Sequence, residues 1–451
     1  MRKTLGCLLL LILLCCQLDL FAQTKVQTYY DSLKIALKEE YYILGKDSNR
    51  VDGDYKRYHQ NGAIASTGKF SDGKKIGVFE EFYPNGQTMR TVKFENGIKH
   101  GDVMVYDQLG NIIQKGQYKN DSLSDKFFVY FDNGKIKKET KFYLGRPDGA
   151  VKEYYESGKI KSEIHYANGK QNGINRSYYS NGEKRSEATY KDGRLDGFFK
   201  TYFDNGQLET ISEHKNGLKT GEFKNYNREG NLIMQGSYKG STINGEVKGV
   251  LHGSNVAYFD DGKIKHQFNY QDGNRVGENL VYYPNGKVKS NIKCSNKEKD
   301  REITNYYSDG TIENKKIYKS GKPYGTWEFF FESGKIKSRE SYENGRLNGT
   351  RSTYYNDGSL KLEEPYVNNL LIGVVKAYYE NGRVKSETTY QTNKMSGPFK
   401  SYHENGQPES TGNFINKSKN GSWNYYDENG KLIKEVIYRR GQVVKEKSFD
   451  K

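Results

Sequence analysis

Residues 154–173 read YYESGKIKSEIHYANGKQNG, and the reading of the whole chain turns on this stretch. It holds a pair of aromatic residues, a turn, a strand ending in Tyr166, a second turn and a closing Gly173. Polar and apolar side chains alternate over residues 158–166, which is the period of a half-buried strand and not of a helix. The glycine of the first turn, taken as position zero, recurs at Gly62, Gly86, Gly110, Gly134, Gly158, Gly182, Gly206 and Gly230. It resumes at Gly262, Gly286, Gly310, Gly334, Gly358, Gly382, Gly406 and Gly430. The step is 24 residues inside each series and 32 between them, so the chain carries sixteen repeats and one insertion of eight residues. A fixed period of this length is the signature of a repeat array.

An aromatic residue stands four places before the glycine in every repeat, as in Tyr58, Phe82, Tyr106, Tyr154, Tyr178, Tyr202, Tyr258, Tyr282, Tyr354, Tyr378 and Tyr426. Another stands eight places after it, replaced only by His214 and Cys294. In Tyr83-Pro84-Asn85-Gly86, Pro presets φ at the second turn position and Gly follows where φ must be positive. That order suits a type I turn closed by a glycine bulge. The resulting register sets minus four beside plus two. One face is then expected to carry a structural ladder of the minus-four rings, the aliphatic plus-two, the small plus-four and the aromatic plus-eight residues. The other face carries the second aromatic of each pair: Tyr83, Phe131, Tyr155, Tyr179, Phe203, Tyr283, Phe331, Tyr355 and Tyr379. Phe79, Phe127, Phe199, Phe223, Trp327, Phe399 and Trp423 join them, beside lysines. A plain two-residue turn would exchange the two ladders between faces.

Only 34% of the 451 residues are hydrophobic, while Tyr counts 39 and Gly 49. Such a chain does not fill a wide interior, but it can lay rings over a thin sheet in which each repeat touches its neighbours. The expected fold is all-β: an elongated single-layer antiparallel sheet, a solenoid-like array of sixteen 24-residue hairpins. Residues 1–22 combine Arg2 and Lys3 with a short apolar run and end in Ala22, as a secretory signal cleaved near Ala22 does. The alternative of a lipoprotein acylated at Cys16 has poor predecessors in Leu13, Leu14 and Cys15. Cleavage leaves Cys294 as the one cysteine, read as a buried small hydrophobe. Residues 23–52 form a terminal cap or a short helix, with the cap preferred. Repeats one to seven cover 53–220, the eighth with its insertion 221–252, and repeats nine to sixteen 253–444. Residues 445–451 close the array as a cap strand. The loop at 295–302 (SNKEKDRE) lacks glycine and is expected to be exposed and mobile.

The stretches 149–163 (GAVKEYYESGKIKSE) and 373–387 (GVVKAYYENGRVKSE) resemble the MORN-repeat variant of bacterial proteins, and the resemblance runs over nearly the whole mature chain. It departs from the pattern at Asp125, at Arg301 and in the eighth repeat. The resemblance implies an elongated array of antiparallel hairpins. Such proteins are often catalogued as antitoxins of toxin-antitoxin pairs, and MORN arrays are linked to scaffolding and to membrane lipids. Export fits an antitoxin role poorly.

Chemistry is sparse in the sequence. The many Gly-Lys pairs are turn residues and not a phosphate-binding loop. The seven histidines fall in different repeats and slots, so no metal site or cofactor is expected. Serines at plus four, such as Ser162 and Ser386, obey the repeat, whereas a catalytic residue should break it. The chain is therefore expected to be a non-enzymatic exported scaffold, periplasmic, surface-bound or secreted. Its partner would be a protein or a cell-envelope polymer, held by the aromatic and lysine face. The net charge of +16 makes anionic lipid the alternative, and export argues against nucleic acid.

Overall fold

A computed structural model describes residues 23–45 and 50–449; the signal expected at 1–22 lies outside them. Every regular element among the described residues is a β-strand. The chain gathers into two compact blocks, one ending at Leu218 and the other beginning at Lys219. Within each, the strands pair antiparallel with their sequence neighbours in an open sheet of repeated hairpins.

Two kinds of turn build a repeat. At the first, the Gly158 N–H donates to the Tyr155 carbonyl at 2.8 Å and the Tyr155 N–H to the Lys159 carbonyl at 2.9 Å, with Gly158 at φ 91°. This is the expected type I turn with a glycine bulge, in a backbone region that suits glycine. At the second, Asn168 and Gly169 have φ of 51° and 77°. Two left-handed residues in succession make the type I′ turn, whose twist matches that of the flanking strands.

Tyr154 lies opposite Ile160, so minus four does pair with plus two. The register then slips, because Glu153 pairs with Ser162 and leaves Lys161 as an extra residue. Arg185 and Lys385 are extra in the same way. One inserted residue inverts the facing of everything beyond it, and this corrects the expected faces. The minus-four rings, Tyr58, Phe82, Tyr106, Tyr154, Tyr178, Tyr202, Tyr258, Tyr282, Tyr354, Tyr378 and Tyr426, share a face with plus two and plus five. They do not share it with the plus-four and plus-eight residues. Thus Tyr378 donates to Glu363, at plus five, at 2.7 Å. On the opposite face, minus seven meets plus eight: the Phe79 ring lies 5.4 Å from Phe70 and 5.2 Å from Phe94.

The first face is charged and internally neutralised. Lys152, Arg176 and Lys376, at minus six, pair with Glu163, Glu187 and Glu387 at 3.5, 3.0 and 3.5 Å. Burial raises the Glu187 carboxyl, but hydrogen bonds from Lys184 and Arg176 outweigh it and hold the group below its ordinary value.

The second face holds the core, and it packs by exchange of volume. Phe399 and Trp423, at minus seven of successive repeats, stack at 5.3 Å across Gly412, where any Cβ would overlap the indole. Trp423 is only 1% exposed. Where minus seven is smaller, plus six grows, as in the opposed pairs Val92 with Val103 and Ile292 with Ile303. Cys294 is buried at plus eight, and burial pushes its thiol up.

The irregular segments stay within the sheet. Residues Leu37–Leu44 form a strand between Gln23–Tyr29 and Val51–Tyr58, not a helix. The insertion does not emerge as a loop on one face. It lengthens one hairpin, Leu232–Ile243 and Glu246–Tyr258, to 12 and 13 residues, closed by Asn244 and Gly245. The glycine-free loop is anchored, since Glu298 accepts the Arg275 backbone N–H at 2.7 Å and its guanidinium at 2.9 Å. Gln442–Ser448 pairs as the last strand, with every residue exposed.

Candidate binding face

Minus three is the position offered to a partner by the sequence, and three local chemistries occupy it. Seven tyrosines there donate their hydroxyl to the minus-four carbonyl of the following repeat. Tyr83 reaches Tyr106, Tyr155 reaches Tyr178, Tyr179 reaches Tyr202 and Tyr283 reaches Tyr306. Tyr307 reaches Phe330, Tyr355 reaches Tyr378 and Tyr379 reaches Tyr402, all at 2.7–2.9 Å. The ring nitrogens of His59 and His403 make the same bond to Phe82 and Tyr426. The acceptor lies one residue past the last cross-repeat pair, Ser162 with Ser177, so its carbonyl takes a donor from a side chain. In a second group, Asp107, Asn227 and Asp427 turn back to cap their own turns. The third group, Phe131, Phe203, Phe259 and Phe331, has no hydroxyl to give.

Two more side chains work along this rim. Lys159, at plus one, donates to the Asn181 carbonyl at 2.8 Å, and Lys335 does the same to Asp357. Asn181 and Asn405, at minus one, donate to the carbonyls of Asp204 and Glu428 at 2.8 and 2.7 Å. Half of the expected basic stripe is therefore tied to the neighbouring repeat.

The plus-three cations are different. The inserted residue of the bulge folds over the minus-three ring of its own repeat: Lys137 on Phe131, Lys161 on Tyr155, Arg185 on Tyr179 and Lys265 on Phe259. Lys289 lies on Tyr283, Lys337 on Phe331, Lys361 on Tyr355 and Lys385 on Tyr379. The charge sits 5.2–6.0 Å from the ring centre. All eight cations are exposed and all eight rings are half-buried. Among the described residues, no carboxylate comes within ion-pairing distance of any of the eight. Such a contact contributes ~0.5–1 kcal/mol at an exposed site and leaves the charge open to a partner.

The modules come in runs. Phe131, Tyr155 and Tyr179 are consecutive in the first block; Phe259 with Tyr283, and then Phe331, Tyr355 and Tyr379, are consecutive in the second. Each run begins with Phe. After each run the next plus-three residue is acidic: Glu209, Glu313 and Glu409. Burial and the Glu313 charge push the Tyr307 hydroxyl up. Phe131, Lys137, Tyr155 and Lys161 line an open cleft of about 320 Å³.

The two tryptophans leave the candidate set. Trp423 is enclosed by Phe399, Phe414 and Tyr438, with its indole N–H on the Asn413 carbonyl at 3.3 Å. Trp327 packs between Tyr318 and Tyr342 and donates to Ile317 at 2.9 Å. Both pack against plus-eight rings because minus seven faces plus eight, Trp423 fully buried and Trp327 half-buried. The eight ring–cation pairs had a sequence signal: wherever plus three is Lys or Arg, minus three is aromatic.

The sequence matches the family model described as the MORN repeat variant at residues 75–96, 99–120, 147–168, 171–192, 195–216, 219–239, 275–292, 323–344, 347–368, 371–392, 395–416 and 419–440, more than half of the chain. The stretches 121–146, 240–274 and 293–322 between these matches contain Asp125, the insertion and the glycine-free loop. No curated protein matches the chain. Among solved structures it is similar to the TcdB2-TccC3 complex, at 12% identity over 95% of this chain and 29% of that one, with a TM-score of 0.11. It is also similar to a Tc holotoxin pore of Photorhabdus luminescens, at 12% identity over 93% and 29%, with a TM-score of 0.15. The chain spans less than a third of those proteins, and likeness at such TM-scores carries no argument.

Proposed function

The chain belongs to the MORN repeat variant family, and from that footing we propose that it is a non-enzymatic, exported repeat scaffold. It holds an extended protein or cell-envelope polymer on the sheet face that bears the minus-three rings. The observation that carries the reading is the set of ring-seated cations, three in the first block and five in the second, with no carboxylate within ion-pairing distance among the described residues. On the opposite face the cations at minus six are neutralised by glutamates, so the uncompensated charge is concentrated where the aromatic surface is. Rings with interleaved cations are the usual anchors of recognition surfaces.

The same free cations suit an anionic membrane, and salt separates the two readings. Attraction between exposed charges weakens steeply as ionic strength rises, while contacts made by rings persist. The test is co-sedimentation of the full chain with envelope fractions and, separately, with phosphatidylglycerol vesicles, at low and high salt. Retention on envelope material at high salt, lost when Lys137, Lys161, Arg185, Lys337, Lys361 and Lys385 are changed to Gln, supports the scaffold. Vesicle binding at low salt alone would replace it with the membrane reading. Retention that survives the six changes would move the binding surface elsewhere.

A further inference from the structure

The partner class can be narrowed by the spacing and composition of the runs; this rests on the scaffold reading above. Successive modules are one repeat apart. Two strands at ~4.8 Å set them about 10 Å apart along a run. Each offers the same three features: a half-buried ring, an exposed cation over it, and nearby backbone. At the start of each run the ring is Phe, so the carbonyls of Tyr154, Tyr282 and Tyr354 receive no phenol hydrogen bond. Those carbonyls stand where a hydroxyl at the para position of Phe131, Phe259 or Phe331 would reach, as the tyrosine modules show. Glu209, Glu313 and Glu409 place a negative charge at the far end of each run and limit its reach for an anion.

We infer that each run is a docking track for a linear acidic glycan with about one carboxylate per disaccharide. A β-linked disaccharide has about the length of one repeat. It can lay one sugar face on each ring, set one carboxylate beside each plus-three cation, and donate a hydroxyl at the Phe end to the carbonyl that no phenol reaches. A densely charged polyanion would use the cations alone, and a neutral glycan the rings alone. Two runs of three modules define a footprint of three disaccharides in each block.

Isothermal titration of the full chain with hyaluronate oligosaccharides, which alternate glucuronate and N-acetylglucosamine, tests this against neutral dextran, dextran sulfate and phosphatidylglycerol vesicles. The expected result is affinity that rises at least about tenfold from one disaccharide to three, as linked contacts add, and then levels off. Changing the six cations of the three-module runs to Gln should remove at least about tenfold of it; the six lost cation–ring contacts lower the melting temperature by a few degrees, and an unchanged far-UV circular dichroism spectrum shows that the sheet is intact. Phe131→Tyr combined with Phe331→Tyr keeps rings and charge but brings a phenol to the Tyr154 and Tyr354 carbonyls, and should weaken hyaluronate while leaving dextran sulfate unchanged. Three outcomes would each overturn the inference: no binding of hyaluronate, equal binding of dextran, or affinity that follows charge density alone. If hyaluronate fails while envelope retention still depends on the six cations, the scaffold reading stands and only the glycan class falls.

Discussion

At the rim of three-residue turns each repeat is tied to the next by side chains: the Tyr155 hydroxyl, the Asn181 amide and the Lys159 ammonium all end on carbonyls of the following repeat. At the rim of two-residue turns the tie is backbone. There the Gly169 N–H donates to the Pro147 carbonyl at 3.0 Å and the Gly193 N–H to Gln171 at 2.8 Å. Both rims answer the same need, a donor for carbonyls that the ladder leaves out, but they differ in what they permit. The backbone rim requires two consecutive left-handed residues in the tight turn. The side-chain rim accepts Tyr, His, Phe, Asp or Asn at minus three, so it can change its surface without changing its fold. Recognition is free to evolve on one rim and constrained on the other.

The largest effect that probes this contrast is Gly169→Pro, which deletes the donated N–H and cannot adopt φ 77°. It should lower local stability by about 3 kcal/mol or more, read as lost amide-exchange protection on both strands of that hairpin. Loss as small as that from a side-chain change would erase the distinction between the rims. Midway between them, Gly412→Ala forces a methyl into the Phe399 and Trp423 stack and should destabilise by roughly 1–3 kcal/mol in urea unfolding.

On the side-chain rim, Tyr155→Phe removes one hydrogen bond to a half-solvated carbonyl and should destabilise by about 0.5–1.5 kcal/mol. Phe131→Tyr should recover a similar amount by reaching Tyr154. A null result for both would mean that water serves these carbonyls equally well. Asn181→Ala, at an exposed amide, should be the smallest of the series, below about 0.5 kcal/mol.

Tyrosine also makes the sheet sensitive to alkali. Burial and the Glu363 hydrogen bond push Tyr378 from 10.0 up to about 12. Burial is likewise the largest influence raising Tyr154, Tyr342 and Tyr402, with carboxylates adding to it. The folded state keeps these protons where the unfolded chain loses them; for Tyr378 the stabilisation is full below pH 10 and is lost as pH rises through about 12. Urea midpoints at pH 8, 10 and 11.5 should hold between the first two and fall at the third. An equal fall in a Tyr378→Phe variant would assign the loss to other groups.

Period, turn type and strand pairing were legible in the sequence because glycine and proline act locally: Gly158 and Pro84 declare their φ without help from the rest of the chain. The faces were not legible. They depend on one extra residue, Lys161 in its repeat, and a lysine in a bulge reads no differently from a lysine in a strand. Half of the candidate site was visible as the pairing of aromatic minus three with basic plus three. The use of the phenols to bind neighbouring carbonyls was not, because it joins residues 23 apart. Gly68, Gly116 and Gly412 at plus six announced the large rings packed against them, but only once the true face of minus seven was known.

Every one of the side-chain ties described at the three-residue turns points forward, with the donor in one repeat and the acceptor in the next. An array joined in this way has a polarity, like a row of couplings that are all hook at one end and eye at the other. Severing either block between repeats would leave unlike stumps. The fragments would reassociate in a single orientation, the upstream piece giving side-chain donors at the three-residue turns and the downstream piece backbone donors at the two-residue turns, while two copies of the same stump would match at neither rim.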